Sequence, residues 1–272
     1  MRGASRDSLT AAAERVDAVL AAGDVEAAAQ LSASLLSVTR LLSAERALAR
    51  MLADPVVAVA ARQELLARLL SERLDPASME VLRGLVESRW SRPADLVDAV
   101  ELLGAQAAFA VAEREQTLDD VEDQLFRFAR IIESNPSLRA ALSDPAGTAE
   151  HKRQLVDALL TGKVAQITLN LVDNVVRAPR GRPIGAAVDA LCEQAAQRRR
   201  RLIAIVRVAS ALTEEQRDRL TAALGRSLGH DVRLQVQVDP AVQGGVVVRV
   251  GDELFDGSIA RRLAQVRRRL AG

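Results

Sequence analysis

A repeat with an offset of 90 residues is the feature of this sequence that most restricts its fold. Two proline-containing dipeptides recur at this offset, Asp54-Pro55 as Asp144-Pro145 and Arg92-Pro93 as Arg182-Pro183. Leucines recur at the same offset without a gap, at Leu35/Leu125, Leu48/Leu138, Leu52/Leu142, Leu65/Leu155, Leu69/Leu159 and Leu70/Leu160. A unit of this length is too long for a solenoid repeat and suits a helix bundle, so we predict two similar bundles in tandem.

The region that contains the repeat is predicted to be helical throughout. From Leu9 to about Gln197, apolar residues recur at the spacing of a helix face, as at Leu125, Phe128 and Ile132. The apolar residues are mainly Ala, Leu and Val, and the chain contains no Tyr, four Phe and one Trp, a mixture that favours helices. The length of 272 residues favours two domains and permits three.

The pattern changes to that of a sheet at Leu202. A short aliphatic run begins there, and from Val232 to Val238 aliphatic and polar side chains alternate strictly, as expected for a strand with one solvated face. The strands are predicted at residues 202–209, 232–238, 246–250 and 253–255, with a tight turn at Gly251-Asp252. Two helices complete this region, one between the first two strands and one after the last strand.

The first of these helices is predicted to begin with a capping box, in which Thr213 caps the helix and Gln216 reaches back. Gly229 is expected to end it, and Ser258 is expected to cap the last helix. The predicted fold is therefore mainly α with a small α/β C-terminal domain of order β-α-β-β-β-α. The predicted domains are an extra helical bundle at 1–103, a second bundle at 104–200 and the α/β domain at 201–272.

Charge is distributed unevenly along the chain, although the net charge is only +1. Residues 1–103 carry 12 basic and 15 acidic side chains, residues 104–197 carry 10 and 13, and residues 198–272 carry 15 and 8. The three segments thus have net charges of −3, −3 and +7. A basic C-terminal segment behind two acidic ones predicts an acidic partner at that end of the chain.

No group of residues in the sequence has the pattern of a catalytic, cofactor or metal site. The glycines of the C-terminal domain lack the spacing of a phosphate-binding loop and flank predicted strands and turns. His151 and His230 have no companion at ligand spacing, and Ser258 has no histidine near it in sequence. The single cysteine, Cys192, lies in an apolar helical stretch and is predicted to be a core thiol.

The arginines of the C-terminal segment are predicted to bind protein rather than nucleic acid. The run from Arg198 to Arg201 is typical of a solvated helix end. Phe255 is the only aromatic residue of this domain, whereas single-stranded nucleic acid is usually bound with several aromatic side chains. The possible partner-binding residues are Arg261, Arg262, Arg267, Arg268 and Arg269. No apolar stretch reaches the roughly eighteen residues of a membrane span, so any membrane association is expected to come through a partner.

A series of short motifs in the C-terminal domain resembles the delta subunit of bacterial F-type ATP synthase and its mitochondrial counterpart, the oligomycin-sensitivity-conferring subunit. The residues that carry the resemblance include, in chain order, Asp239-Pro240, Gly244-Gly245, Gly251-Asp252 and Asp256-Gly257-Ser258. Landmarks of the helical bundle of that family are resembled by residues 107–112, Asn135-Pro136, Lys152 and Gly181-Arg182. The resemblance covers residues 104–272 and implies a long, actinobacterial-type form whose N-terminal bundle is duplicated.

The resemblance implies a non-catalytic subunit of the peripheral stalk of a proton-translocating ATP synthase. In that family the bundle holds N-terminal helices of the alpha subunits, and the C-terminal domain holds the C-terminal region of the membrane-anchored b subunit. The resemblance therefore implies a peripheral position at the cytoplasmic face of the cell membrane, with no cofactor and no nucleic acid. The residues listed above as motifs are implied to be structural.

Two questions stay open at the level of sequence. The duplication leaves undecided which bundle contacts the catalytic head, and our hypothesis assigns this contact to residues 104–197. The principal alternative function is a basic nucleic-acid-binding or regulatory scaffold, for which a steep salt dependence of DNA affinity would be expected. An enzyme with an unrecognised site would require a convergent polar pocket, for which the sequence offers no pattern.

Overall fold

The computed structural model describes residues 1, 3–144, 146–201, 203–228, 232–239, 242, 245–250 and 253–256. The chain folds as two compact units, Met1–Ala195 and Ala196–Gly272. The first unit is helical, and its helices are α1 (Ala4–Ala22), α2 (Val25–Ala44), α3 (Arg46–Ala53), α4 (Val59–Leu70), α5 (Pro76–Glu87), α6 (Pro93–Arg114), α7 (Leu118–Ser134), α8 (Pro136–Ser143), α9 (Ala149–Leu160), α10 (Gln166–Arg177) and α11 (Ile184–Arg201), of which residues 196–201 fall in the second unit. The second unit combines one described helix with a sheet, so the predicted fold class is confirmed.

The helix boundaries follow the repeat that the sequence predicted. Both ends of α3, α4 and α5 recur in α8, α9 and α10 at an offset of 90 residues. At the same offset α1 corresponds to α6, and α6 corresponds to α11. The long helix α6 is therefore both the last helix of the first bundle and the first helix of the second.

This double role of α6 bears on the predicted domain boundary between residues 103 and 104. The boundary falls inside α6, which runs without a break from Pro93 to Arg114. Both bundles belong to one compact unit. The division into three domains stays a prediction, and the structure adds that its first two members have a helix in common.

The helix ends form where the sequence supplies caps and prolines. The side chains of Asp24, Asp75 and Thr148 accept hydrogen bonds from backbone N–H groups in the first turns of α2, α5 and α9. Proline stands at the first position of α5, α6 and α8, where its missing N–H has no cost. The dipeptides Asp75-Pro76, Arg92-Pro93 and Asn135-Pro136 therefore mark helix starts.

Close packing of α2 along α6 forms the centre of the first unit. Fifteen of the 22 residues of α6 are buried, as expected for an interior helix that is covered on several sides. Gly104 lets the two helices approach, because a Cβ atom there would lie 3.0 Å from Cδ2 of Leu36. The Ser32 hydroxyl of α2 donates a hydrogen bond of 2.9 Å to the Gly104 carbonyl.

The second unit is a four-stranded mixed sheet with a helix. Its elements are β1 (Ile203–Val208), α12 (Glu214–Leu228), β2 (Arg233–Val238), β3 (Val246–Val250) and β4 (Glu253–Asp256), and the strand order is β2-β1-β3-β4. Strand β1 is parallel to β2 and antiparallel to β3, and β3 is antiparallel to β4. The predicted order β-α-β-β-β is confirmed, while the predicted last helix lies outside the described residues.

Local details of this unit also agree with the sequence. The backbone N–H of Thr213 donates to Gln216 Oε1 at 3.0 Å, and the N–H of Gln216 donates to Thr213 Oγ1 at 3.2 Å, which is the predicted capping box. In β2, Gln235 and Gln237 are exposed while Val236 is half-buried, as the alternating pattern predicted. Gly229 lies outside the described residues.

Candidate partner-binding site

A partly buried polar cluster joins the two bundles, and we call Asp98, Glu101, Asn174, Arg180 and Arg182 the junction cluster. The Arg180 guanidinium lies 2.9 Å from Asp98 Oδ1 and 2.5 Å from Glu101 Oε2, and the Arg182 guanidinium lies 2.7 Å from Glu101 Oε2. The side chains of Arg180 and Glu101 are only 12% and 7% exposed. Charge pairs this deeply buried are weakly screened by solvent and depend strongly on both partners.

The loop after α10 places Arg180 in the junction cluster. Arg180 has a φ of 50° and the following Gly181 has a φ of 75°, so two successive left-handed residues turn the guanidinium back toward α6. At the equivalent position of the first bundle, 90 residues earlier, stands Trp90, whose indole N–H donates to the Leu85 carbonyl at 2.8 Å. The same loop thus holds an aromatic residue in one bundle and a paired cation in the other.

Asn174 extends the junction cluster to the first bundle. Its side-chain oxygen accepts a hydrogen bond of 3.2 Å from Arg40 of α2, and its amide nitrogen donates to Glu101 at 3.4 Å. In addition, Ile167 of α10 packs against the hydrophobic core of the first bundle. Helices α2, α6 and α10 are therefore held together by both polar and apolar contacts, which favours a rigid first unit.

A second buried carboxylate, Asp95, ties the start of α6 to α1. It is 1% exposed, accepts a hydrogen bond of 2.9 Å from Ser5 Oγ and pairs with Arg92 at 2.8 Å. The Ser5 oxygen in turn accepts a 2.8 Å bond from the Ser91 N–H. Burial opposes ionisation of Asp95, but the hydrogen bonds from Arg92 and Ser5 outweigh it and hold the pKa of Asp95 below its usual value.

The lowered pKa predicts a pH-dependent contribution of Asp95 to stability. A carboxylate with a lowered pKa in the folded state stabilises the fold above its unfolded pKa of about 3.9, and this contribution is lost as the pH falls through the folded pKa. We expect Asp95→Asn to lower the free energy of unfolding by about 1.5–3 kcal/mol at neutral pH, the range for hydrogen bonds to charged groups. Urea unfolding of both chains at neutral and acidic pH measures the difference.

The matched control for this prediction is Asp24→Asn. Asp24 caps α2 through a 2.8 Å bond from the Ala27 N–H, and asparagine caps helices about as well as aspartate. The control is expected to change stability by less than about 0.5 kcal/mol. A difference for Asp95→Asn that stayed constant into acidic pH would contradict the ionic role of Asp95.

An exposed aromatic residue marks the surface of the second bundle. The Phe126 side chain on α7 is 52% exposed, and the Arg130 guanidinium lies 5.3 Å from its ring centroid. Its equivalent in the first bundle, Leu36, is 4% exposed because α2 packs on α6. Aromatic and arginine side chains are enriched in protein interfaces, so Phe126 and Arg130 are candidates for contact with a partner.

The structure describes only some of the motif residues of the C-terminal unit. Asp239 follows β2, and its N–H donates to the Val208 carbonyl at 2.8 Å, while its side chain lies 3.9 Å from Arg207. Gly245 precedes β3 with a φ of 81°, a value that favours glycine, and Asp256 ends β4 opposite Val247. These positions are consistent with structural roles.

The remaining predicted motif and partner-binding residues lie outside the described residues. They are Pro240, Gly244, Gly251, Asp252, Gly257, Ser258, Arg261, Arg262, Arg267, Arg268 and Arg269. His230 also lies outside. Their roles stay predictions.

Residues considered for chemistry have ordinary surroundings where the structure describes them. Cys192 is half-buried rather than in the core, and burial, followed by the charges of Asp189 and Glu122, raises the pKa of its thiol to about 11. It is therefore protonated at neutral pH and a poor nucleophile. His151 is exposed in the first turn of α9, where its N–H donates to Thr148 Oγ1 at 3.2 Å.

The described residues contain neither a metal-binding cluster nor a membrane-spanning helix. Across the described ranges, no group of three or more His, Cys, Asp or Glu side chains could hold a metal ion. Within the same ranges, no helix has both the length and the apolar composition of a transmembrane span.

Sequence reasoning missed the junction cluster. Asp98 and Glu101 are acidic residues in a helix that is otherwise almost entirely apolar between Leu96 and Ala112. Two carboxylates in such a stretch were a signal that α6 has a buried ionic partner. The partners, however, follow 79 to 82 residues later and could not be identified from spacing.

Comparison with known proteins places this chain beside subunits of one complex. Residues 105–270 match the family described as ATP synthase delta (OSCP) subunit. Proteins named ATP synthase subunit delta are 45% identical in Streptomyces griseus subsp. griseus and 44% identical in Thermobifida fusca, each over 272 residues and 100% of both chains. The protein of the same name from Acidothermus cellulolyticus is 43% identical over 273 residues, again over 100% of both chains.

A solved structure gives a weaker likeness. A chain from the Toxoplasma gondii mitochondrial ATP synthase hexamer has a TM-score of 0.33 and 21% identity, and the match covers 63% of this chain and 97% of that one.

Proposed function

The chain belongs to the family of ATP synthase delta (OSCP) subunits, and on that premise we propose that it is a non-catalytic subunit of the peripheral stalk of F-type ATP synthase. In this role it links the top of the catalytic alpha/beta head to the membrane-anchored b subunit, so that the head does not rotate with the central rotor. The observation that carries the proposal is the full-length match to proteins named ATP synthase subunit delta.

A stalk subunit must transmit elastic torque without deforming. The single helix α6 serves both bundles, and the junction cluster fixes α10 and its following loop to that helix. A shared helix with buried ion pairs resists relative motion of two bundles better than a flexible linker. The construction of the first unit therefore supports a mechanical role.

Two partners are proposed, one for each unit. The N-terminal helices of the alpha subunits bind the second bundle, within residues 104–197, where Phe126 and Arg130 offer an exposed aromatic and a cation. The C-terminal region of the b subunit binds the segment 198–272, whose net charge of +7 suits an acidic helix. Several modest interfaces on one chain give tight overall attachment.

The proposal implies a location and excludes a partner class. The protein lies at the cytoplasmic face of the cell membrane and is held there through the ATP synthase complex. Nucleic acid is not a partner in this role, so DNA binding whose affinity depends steeply on salt would instead support the scaffold alternative.

Reciprocal substitutions in the full chain test the two attachments. We expect Phe126→Asp to weaken binding of an alpha N-terminal peptide at least tenfold, because a charge replaces an apolar contact at the centre of the interface. It should leave binding of a b C-terminal peptide unchanged. The triple substitution Arg267→Glu, Arg268→Glu and Arg269→Glu should have the opposite pattern, and titration calorimetry with each peptide measures both.

The control for the first attachment is Leu69→Asp, which changes an apolar side chain of the first bundle that is 44% exposed. Point variants are preferable to deletion of residues 1–103, since that deletion would cut α6 in two. Loss of alpha-peptide binding in Leu69→Asp but not in Phe126→Asp would assign the head contact to the first bundle. Failure of the unmodified chain to bind either peptide would overturn the stalk assignment itself.

A further inference from the structure

A basic cleft lies between the two bundles of the first unit, and neither of the two proposed attachments uses it. The cavity measures about 840 Å³ and lies among the end of α2, helix α3, the first turns of α6 and α9, and the loop after α10. Its basic lining residues are Arg40, Arg46, Arg50, Lys152, Arg177 and Arg180. No Asp or Glu belongs to the described lining.

Internal ion pairs neutralise only part of this charge. Arg180 is paired within the junction cluster, and Arg177 lies 3.4 Å from Asp173. Arg46 and Arg50 are exposed on α3 and have no ion pair among the described residues. The cleft therefore keeps an excess of positive charge.

At the inner wall of the cleft, the like-charged guanidinium groups of Arg40 and Arg177 repel each other. Burial and then the neighbouring Arg177 lower the pKa of Arg40, and the opposing effect of Asp173 does not cancel this. The Nε atom of Arg177 is buried and has no hydrogen-bond partner among the described residues. Like charges that crowd together beside an unused donor are stabilised when an anion binds between them.

Lys152 gives the clearest indication of a binding site, because the repeat allows it to be compared with its equivalent in the first bundle. Its equivalent in the first bundle, Arg62, is 4% exposed and donates to the carbonyls of Leu52, Val57 and Val86 at 3.3, 3.1 and 2.6 Å. Lys152 is 6% exposed, yet within the described part of the chain its ammonium has neither a hydrogen bond nor an ion pair. In the first bundle the equivalent cation is thus hydrogen-bonded to backbone carbonyls, whereas in the second bundle it lines the cleft.

The small residue at position 147 gives the Lys152 side chain its room. A Cβ atom at Gly147 would lie 3.2 Å from Lys152 Cε. Glycine here lets the lysine stem pass the loop before α9 and reach the lining of the cleft. The site therefore combines a buried point charge with arginines at its rim.

We propose that this cleft binds a small anion that carries two or more phosphate groups. Arginine presents a planar fork that matches phosphate oxygens, and lysine serves as a compact point charge for the same groups. The volume lies within the range of about 300–1,000 Å³ that is usual for small-molecule sites. A ten-residue helix, about 15 Å long and 10 Å wide, would occupy on the order of 1,200 Å³ and does not fit.

Titration calorimetry of the full chain with inorganic pyrophosphate at physiological ionic strength tests the proposal. We expect one site per chain in the unmodified protein. The double variant Arg46→Gln/Arg50→Gln should bind pyrophosphate at least tenfold more weakly, since it removes both exposed cations of α3. These residues lie on the surface, so the variant is expected to keep its fold, which circular dichroism checks.

The matched control is Arg73→Gln/Arg83→Gln, which removes two exposed arginines outside the cleft. It should change pyrophosphate affinity by less than twofold. Lys152→Met is a second cleft variant and should also lose at least tenfold in affinity if it folds. The proposal does not rest on the stalk function, because neither peptide attachment uses these residues.

Three results would overturn the proposal. One is the absence of pyrophosphate binding to the unmodified chain. Another is an equal loss of affinity in the cleft and control double variants, which would reveal nonspecific attraction. The third is tighter binding of a hexaglutamate peptide than of pyrophosphate at the same residues, which would make the cleft a site for acidic polypeptide.

Discussion

Replacement of Glu101 by alanine is expected to lower the free energy of unfolding by about 3–5 kcal/mol, the usual cost of removing one partner of a buried ion pair. Glu101 is buried and accepts hydrogen bonds from Arg180 and Arg182. Without it, Asp98 is the one charged partner that Arg180 keeps among the described residues. Urea unfolding followed by circular dichroism at neutral pH measures the change.

The control for this prediction is Glu64→Ala, which breaks an exposed pair. Glu64 and Arg68 lie on the surface of α4 with side chains 62% and 75% exposed. Exposed pairs contribute about 0–1 kcal/mol, so the control should be close to the unmodified chain. Similar unfolding midpoints for Glu101→Ala and Glu64→Ala would show that the junction cluster does not stabilise the fold.

A double substitution distinguishes the cost of an unpaired charge from the cost of lost packing at the same site. In Glu101→Leu/Arg180→Met both charges are replaced by apolar side chains, and such replacements are often neutral or stabilising. We therefore expect the double variant to be more stable than Glu101→Ala. If the two were equally unstable, packing around α6 rather than the unpaired charge would account for the loss.

The α/β unit could be predicted closely because its signals are local. Alternation between Val232 and Val238 identified β2, and the short aliphatic run identified β1. The capping box at Thr213 and Gln216 needs only residues three apart, and both of its hydrogen bonds are present. The parallel pairing of β1 with β2 adds information that local patterns do not contain.

The helical unit could be predicted only in part because its organisation depends on tertiary contacts. Shared prolines and leucines indicated the duplication, and helices α3–α5 and α8–α10 follow it. The double role of α6 was missed, since a buried Ala-rich helix has the same pattern whether one bundle or two cover it. The partners of Glu101 and Lys152 also depend on loops that come together only in the fold.

Gly104→Leu is expected to lower the free energy of unfolding by about 3 kcal/mol, the upper part of the range for overpacking. A Cβ atom at this position would already lie 3.0 Å from Cδ2 of Leu36, 3.1 Å from its Cγ and 3.2 Å from Cβ of Leu35, all in α2. A leucine would force α2 away from α6 and weaken the Ser32 bond to the Gly104 carbonyl. Thermal and urea unfolding measure the loss.

Gly185→Leu is the matched control, because no atom lies within 4 Å of its added Cβ. The gain in helix propensity of up to about 1 kcal/mol should leave this variant at least as stable as the unmodified chain. Adding Leu36→Ala to Gly104→Leu should make room for the new side chain, so the two substitutions together should cost less than their sum. Strict additivity would instead mean that the contact between α2 and α6 does not limit the size of residue 104.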